Sequence, residues 1–185
     1  MTKPNSSLLI IDDDAIHLAT MAATLRLRFP QAVVETMESA VTSLERIRSE
    51  SFQAVICDGQ QAGLEGPAFV RAVHKFQQQT PVVLLLEKDD ADATRQAMEA
   101  GAYDVLIRPV EAHRLVFALQ RAIETYRLRV KVQREREELL ITLGCLLKDL
   151  ESLYGADGLS AHFAAFMEQV NQDKQAARKN HGLID

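Results

Sequence analysis

A chain of 185 residues with 47% hydrophobic and 25% charged side chains has the length for one ordinary globular domain and an appendage. Its 26 acidic and 21 basic residues leave a net charge of −5, too mild to give an electrostatic footprint for nucleic acid or an anionic membrane, so neither is expected as a partner. The opening "MTKPNSS" lacks the apolar core of a signal peptide and no apolar run approaches membrane-spanning length, which points to a cytoplasmic protein.

Five short apolar runs punctuate the first part of the chain. The first, "LLII" (8–11), ends on three aspartates, Asp12, Asp13 and Asp14, and Asp14 is placed to cap a helix. In that helix Ile16, Ala19, Ala23 and Leu27 share one face, read as the inner one, before Phe29 and Pro30 stop it. "AVVETM" (32–37) follows, and then a helix capped by Ser39 with Val41, Leu44 and Ile47 inward. "AVIC" (54–57) runs into Asp58, and Pro67 suits a first helical position before "AFVRAVHKF". "VVLLL" (82–86) precedes a helix capped by Asp90 and ended at Gly101, and "YDVLI" (103–107) leads to Arg108 and Pro109. Runs that are apolar throughout read as strands buried on both faces, so the pattern predicts a doubly wound α/β domain with a parallel sheet covered by helices. Cys57 and Cys145 sit in apolar contexts and match no metal or redox spacing, so both are read as reduced core residues.

Ligands of open α/β sheets bind at the carboxyl ends of the strands. In this sequence those ends carry Asp12 and Asp13 from the first strand, Asp58 from the third, Leu86 and Glu87 from the fourth, and Arg108 from the fifth. Acids crowded on one edge repel unless a cation lies among them, and hard divalent cations take carboxylate oxygens.

The order "IIDDD", "VICDGQQAGLEGPAFV", "PVVLLL", "AGAYDVLIRP" resembles the response regulator receiver domain, the CheY-like fold of two-component signalling, over about residues 6–125. The resemblance implies a flavodoxin-like sheet of strand order 2-1-3-4-5 and a phosphorelay function. By it, Asp58 accepts a phosphoryl group from a histidine kinase or phosphotransfer protein. Asp12, Asp13, Asp58 and the backbone carbonyl of Gln60 hold Mg²⁺, Gly66 opens the third helix, and Arg108 is the cation that pairs with phosphate. It also exposes departures. Leu86 stands where the family has a Ser or Thr hydroxyl, Arg108 replaces a lysine with a larger forked group, Val105 falls on the aromatic switch position, and Ala62 replaces a loop proline. The relay from hydroxyl to aromatic ring is therefore absent. This leaves either another linkage from Asp58 to output or an interaction module whose state depends little on phosphate. The domain is no enzyme on this reading beyond its own phosphorylation and dephosphorylation. Asp-x-Asp after an apolar strand also resembles the nucleophile motif of haloacid dehalogenase-type phosphohydrolases, but Ala15 and Ile16 break that motif and it gives Asp58 no role.

Residues 126–179 read as a helical extension and 180–185 as a flexible tail. The last receiver helix carries Leu115, Leu119, Ala122, Tyr126 and Val130 on one stripe and continues through the charged "KVQREREE". Beyond it Leu139, Leu143, Leu146, Leu150 and Leu153 step by four and three as an a/d seam. "YGADGLS" reads as a turn with caps at Asp157 and Ser160 before a second helix, making a hairpin that either folds back on the seam or dimerises; a homodimer is expected. His162 on that helix lacks the acidic neighbour of phosphotransfer histidines and reads as a surface residue. The downstream partner is left open.

Overall fold

The computed structural model describes residues 6–61, 63–88, 90–154 and 161–180, with side chains described at 7–61, 63–88, 90–149 and 164–173. The elements alternate as the runs predict: β1 (Ser6–Ile11), α1 (Ala15–Arg28), β2 (Ala32–Met37), α2 (Ala40–Ser49), β3 (Ala54–Asp58), α3 (Gly66–Phe76), β4 (Val82–Leu86), α4 (Ala91–Glu99), β5 (Asp104–Ile107), α5 (Ala112–Tyr154) and α6 (Ala161–Asn180). The sheet is parallel with strand order β2-β1-β3-β4-β5. Its central strands β3 and β4 are buried at every position, which is why they are written as unbroken apolar runs.

Alternate residues of each strand feed two cores. Leu8, Ile10, Ile56, Val83 and Leu85 pack with Leu18 and Leu25 of α1 and Leu115, Leu119 and Ala122 of α5. Leu9, Ile11, Val55, Cys57 and Leu84 pack with Ile47 of α2, Phe69 and Val73 of α3 and Ala97 of α4. Of the expected α5 stripe Leu115, Leu119 and Ala122 are buried and Tyr126 and Val130 are half-buried, whereas α1 presents the opposite face. Ile16 and Leu27 are 75% and 78% exposed, and Leu18, Ala22 and Leu25 face the core instead. The α1 sequence carries apolar residues on two opposite stripes, so the helical period alone does not choose between them. In α2, Ala40, Ser43 and Ile47 are buried and Val41 is exposed. Ser43 is tolerated inside because its hydroxyl donates to the Ala40 carbonyl at 2.8 Å.

The caps are those expected. Asp14 accepts from the amides of Ile16 and His17, Ser39 from Thr42, and Asp90 from Asp92 and Ala93. Gly101 ends α4 at φ 97°, and a Cβ there would meet the His74 ring.

Backbone contacts divide the chain into two compact units, Met1–Leu128 and Arg129–Asp185. Within the second, Arg136 of α5 lies 3.5 Å from Asp173 of α6, and Leu147 and Val170 are its buried apolar residues among those described. Of the seam residues, Leu139, Leu143 and Leu146 are 64%, 41% and 54% exposed. Cys145 is exposed rather than a core residue, since its helical position lies off the Leu147 face. The side chains of Leu150, Leu153 and His162 and the turn with Asp157 and Ser160 lie outside the described residues. No described helix is long and apolar enough to cross a membrane.

Candidate functional site

The carboxyl ends of β1, β3, β4 and β5 meet at one edge of the sheet, tied there by amide bonds that continue the ladders past the strands. Asp12 N donates to the Met37 carbonyl at 3.1 Å, Gly59 N to Leu85 at 2.8 Å and Arg108 N to Leu86 at 2.8 Å. This register brings Asp12, Asp13 and Asp58 together, with one carboxylate oxygen from each lying within 4.8 Å of the others. Asp12 and Asp58 are buried and Asp13 is exposed, so the cluster opens to solvent on the Asp13 side. Two glycines let the backbone close around it. Gly66 N donates to the Gly59 carbonyl at 3.1 Å, and a Cβ at Gly66 would come within 3.1 Å of the Gly59 Cα.

Arg108 reaches into this cluster. Its Nη2 donates to Asp12 Oδ2 and lies 4.0 Å from Asp58 Oδ2, its Nη1 donates to His17 Nδ1, and its Nε lies 3.3 Å from Glu87 Oε1. The side chain is only 11% exposed. Burial works against the Arg108 charge, but the hydrogen bond and charge of Asp12, with Asp58 and Glu87 behind it, outweigh that cost and hold its pKa above the ordinary arginine value. The Asp58 pKa is raised above its ordinary value by burial, and the charges of Asp12 and Asp13 add to this. The Gln60 amide, donating to Asp58 Oδ1 at 3.2 Å, and Arg108 pull it back. Asp14 is lowered by the His17 and Ile16 amides that it caps, which keeps it as a helix cap outside the cluster.

The family model of the response regulator receiver domain matches residues 8–120. The chain belongs to the response regulator receiver family. Among curated relatives, the transcriptional regulatory protein ZraR of Escherichia coli is 28% identical over 124 residues, 66% of this chain and 27% of that protein. The C4-dicarboxylate transport transcriptional regulatory protein DctD of Pseudomonas aeruginosa is 30% identical over 167 residues, 89% of this chain and 34% of that protein. The chain thus spans about a quarter to a third of the length of these relatives. Among solved structures, a receiver domain protein of Clostridium thermocellum superposes with a TM-score of 0.62 at 28% identity, covering 66% of this chain and 98% of that one. NtrX of Brucella abortus gives 0.64 at 26% identity, covering 71% of this chain and 30% of that one.

Leu86 is buried, and its Cδ2 lies so close to Gly59 that a Cβ there would meet it at 2.5 Å; it presents no hydroxyl to the acidic edge. Val105 is half-buried against the core under α4 and carries no ring or hydroxyl. Gln60 is exposed, so its side chain is not part of the core of the site. Sequence reasoning missed His17 and the pairing of Glu87 with Arg108. Half of the His17 side chain is exposed, and it sits in the first turn of the helix that Asp14 caps. That turn returns it to the edge where Arg108 arrives.

Three carboxylates of this spacing make a hard oxygen donor set of the kind that suits Mg²⁺, and receiver domains typically bind that ion at such a cluster.

Proposed function

We propose that the chain is a phosphorelay receiver in which the Asp58 carboxylate accepts a phosphoryl group from the phosphohistidine of a histidine kinase or phosphotransfer protein. The observation that carries this reading is the placement of buried Asp58 at the end of β3 beside Asp12 and Asp13 in a chain of this family. An Asp58 oxygen forms the new bond to phosphorus while the bond from phosphorus to the donor imidazole nitrogen breaks, and the electron pair leaves with the imidazole. Asp12, Asp13, Asp58 and the Gln60 carbonyl would hold Mg²⁺, whose charge offsets the negative charge gathered at the site. The Gln60 amide orients Asp58, and Arg108 stands within reach of the incoming phosphoryl oxygens. Incubation with a small-molecule phosphodonor and Mg²⁺ followed by intact mass measurement tests this. One added phosphoryl group is expected in the wild-type chain and none in Asp58→Ala; no gain in either overturns the reading.

Residues 1–125 act as the receiver and 126–179 as a helical extension that carries the output, with 180–185 as a tail. Support for pairing between two copies comes from Leu139, Leu143 and Leu146, which form one stripe and stay exposed while Leu147 and Val170 are covered. Sedimentation of the full chain is expected to give a dimer that dissociates in the Leu139→Lys, Leu146→Lys chain; a monomeric wild type overturns this.

A second reading, an interaction module with little dependence on phosphate, is favoured by one specific feature. Leu86 and Val105 supply no donor or ring for a relay, and Arg108 ties the end of β5 to Asp12 after β1 and to Glu87 after β4 through the protein's own side chains.

A further inference from the structure

We infer that Gln61 is a positioning residue for the phosphoacceptor: it anchors the loop after β3 on the first amide of α2 and thereby fixes the Gln60–Gln61 peptide beside Asp58. This rests on the phosphorelay reading given above. Gln61 is only 5% exposed although its side chain is polar, and its Oε1 accepts from the Ala40 amide at 2.7 Å across 21 positions of sequence. Ala40 is the first residue of α2 and is buried, so its amide has no partner within the helix and stands away from solvent. Ser39 caps the same end by accepting from Thr42, which leaves the Ala40 amide to Gln61. Gln61 Nε2 is buried with no partner among the described residues, a cost that an apolar side chain of similar size would avoid. What the amide contributes here is therefore the bond made by its oxygen.

That bond reaches Asp58 through one peptide unit. The Gln60 amide donates to Asp58 Oδ1 at 3.2 Å, and the Gln60 carbonyl, which the proposed function gives to Mg²⁺, lies in one plane with the Gln61 amide. Holding the Gln61 Cα sets the direction of that carbonyl and, through residue 60, of the amide on Asp58. Other support for the loop is sparse. Among the described residues, the Gln61–Ala40 bond is the one hydrogen bond from residues 60–65 to a helix other than α3. Toward α4 the loop borders a cavity of about 640 Å³, with Gly63 and Leu64 on one side and Ala93 and Gln96 on the other, so that helix does not brace it there. Toward α2 the backbone comes close: a Cβ at Gly63, where φ is 87°, would meet Val41 Cγ2 at 3.5 Å. Coupling of this kind is reciprocal, so a change at Asp58 is felt at the start of α2, along a path that needs neither residue 86 nor residue 105.

The test combines calorimetric titration of the full chain with Mg²⁺ and an intact-mass time course with a small-molecule phosphodonor. Wild type, Gln61→Met, Ala40→Pro and Gln61→Glu are compared, each checked for folding by circular dichroism. Gln61→Met keeps the size and removes the acceptor, whereas Ala40→Pro removes the donor at a first helical position, which favours proline. Each is expected to bind Mg²⁺ about tenfold more weakly, as loss of a group that orients a ligand typically does, and the two together no more weakly than either alone. Should one of them not fold, the other carries the comparison. Gln61→Glu, which returns an acceptor to a helix start that favours negative charge, is expected to recover binding to within about threefold of wild type. In wild type the Ala40 amide resonance is expected to shift as Mg²⁺ is added, a readout that needs no phosphorylation, and Gln61→Met abolishes that shift. Folded Gln61→Met and Ala40→Pro chains that bind Mg²⁺ as wild type does, or an Ala40 resonance unmoved in wild type, overturn the positioning role while Asp58 still gains its phosphoryl group. No Mg²⁺ binding by wild type overturns the inference as well, and no mass gain by wild type overturns the phosphorelay reading on which it rests.

Discussion

With Leu86 replaced by Thr, Asp58 is expected to take up phosphate from a small-molecule donor about tenfold faster than in the wild-type chain. Leu86 occupies the end of β4, one residue past Leu85, which pairs with Asp58, and its Cδ2 methyl lies against Gly59. A threonine hydroxyl there adds one donor aimed where negative charge collects on the transferring phosphoryl oxygens. A fully organised donor of that kind contributes about 100-fold or more, and a newly introduced one in a pocket shaped for leucine realises part of it. The exchange also removes buried carbon from a site that is 8% exposed, so the variant is expected to lose about 1–2 kcal/mol of stability. A time course of intact mass in both chains checks the first effect and denaturant unfolding checks the second. An unchanged rate would mean that residue 86 does not face the phosphoryl group.

Asp12→Ala in metal-free buffer destabilises the receiver by about 2–3 kcal/mol, whereas Asp13→Ala changes it by less than about 0.5 kcal/mol. The two acids are neighbours in sequence but differ in what they hold. Asp12 is buried, accepts from Arg108 and from the Asp14 amide at 2.9 Å, and its loss leaves a guanidinium without its main acceptor. Asp13 is exposed, and no ion pair or hydrogen bond of its side chain stands among the described contacts. Partial compensation by Asp58 and Glu87, and relief of repulsion within the cluster, keep the Asp12 cost below that of a fully orphaned buried charge. Chemical denaturation of the two variants against wild type measures the difference, and equal losses would contradict it.

Much of the fold is legible because burial on both faces leaves an unambiguous mark. "AVIC" and "VVLLL" contain no polar position, which only a central parallel strand requires, and the caps Asp14, Ser39 and Asp90 announce the helices that follow. The convergence of Asp12, Asp13 and Asp58 is legible too, since the strand order carries all three to one edge. What was not legible depends on side-chain paths rather than periods. The inner face of α1 was misread because Ile16 and Leu27 are as apolar as Leu18 and Leu25, and packing decides between them. The bond from Arg108 to Asp12 spans 96 positions of sequence, and no local pattern indicates that the guanidinium turns toward β1. In the extension, the heptad spacing of Leu139, Leu143 and Leu146 says that a stripe exists but not that α6 leaves it uncovered.

The central claim is that Asp58, among three clustered acids, is the phosphoacceptor. Borohydride reduction of the phosphodonor-treated chain converts an acyl phosphate to an alcohol, and peptide mapping then reads which residue carried it. Homoserine at position 58 alone is the expected result; conversion at Asp12 or Asp13, or at none of the three, would contradict it.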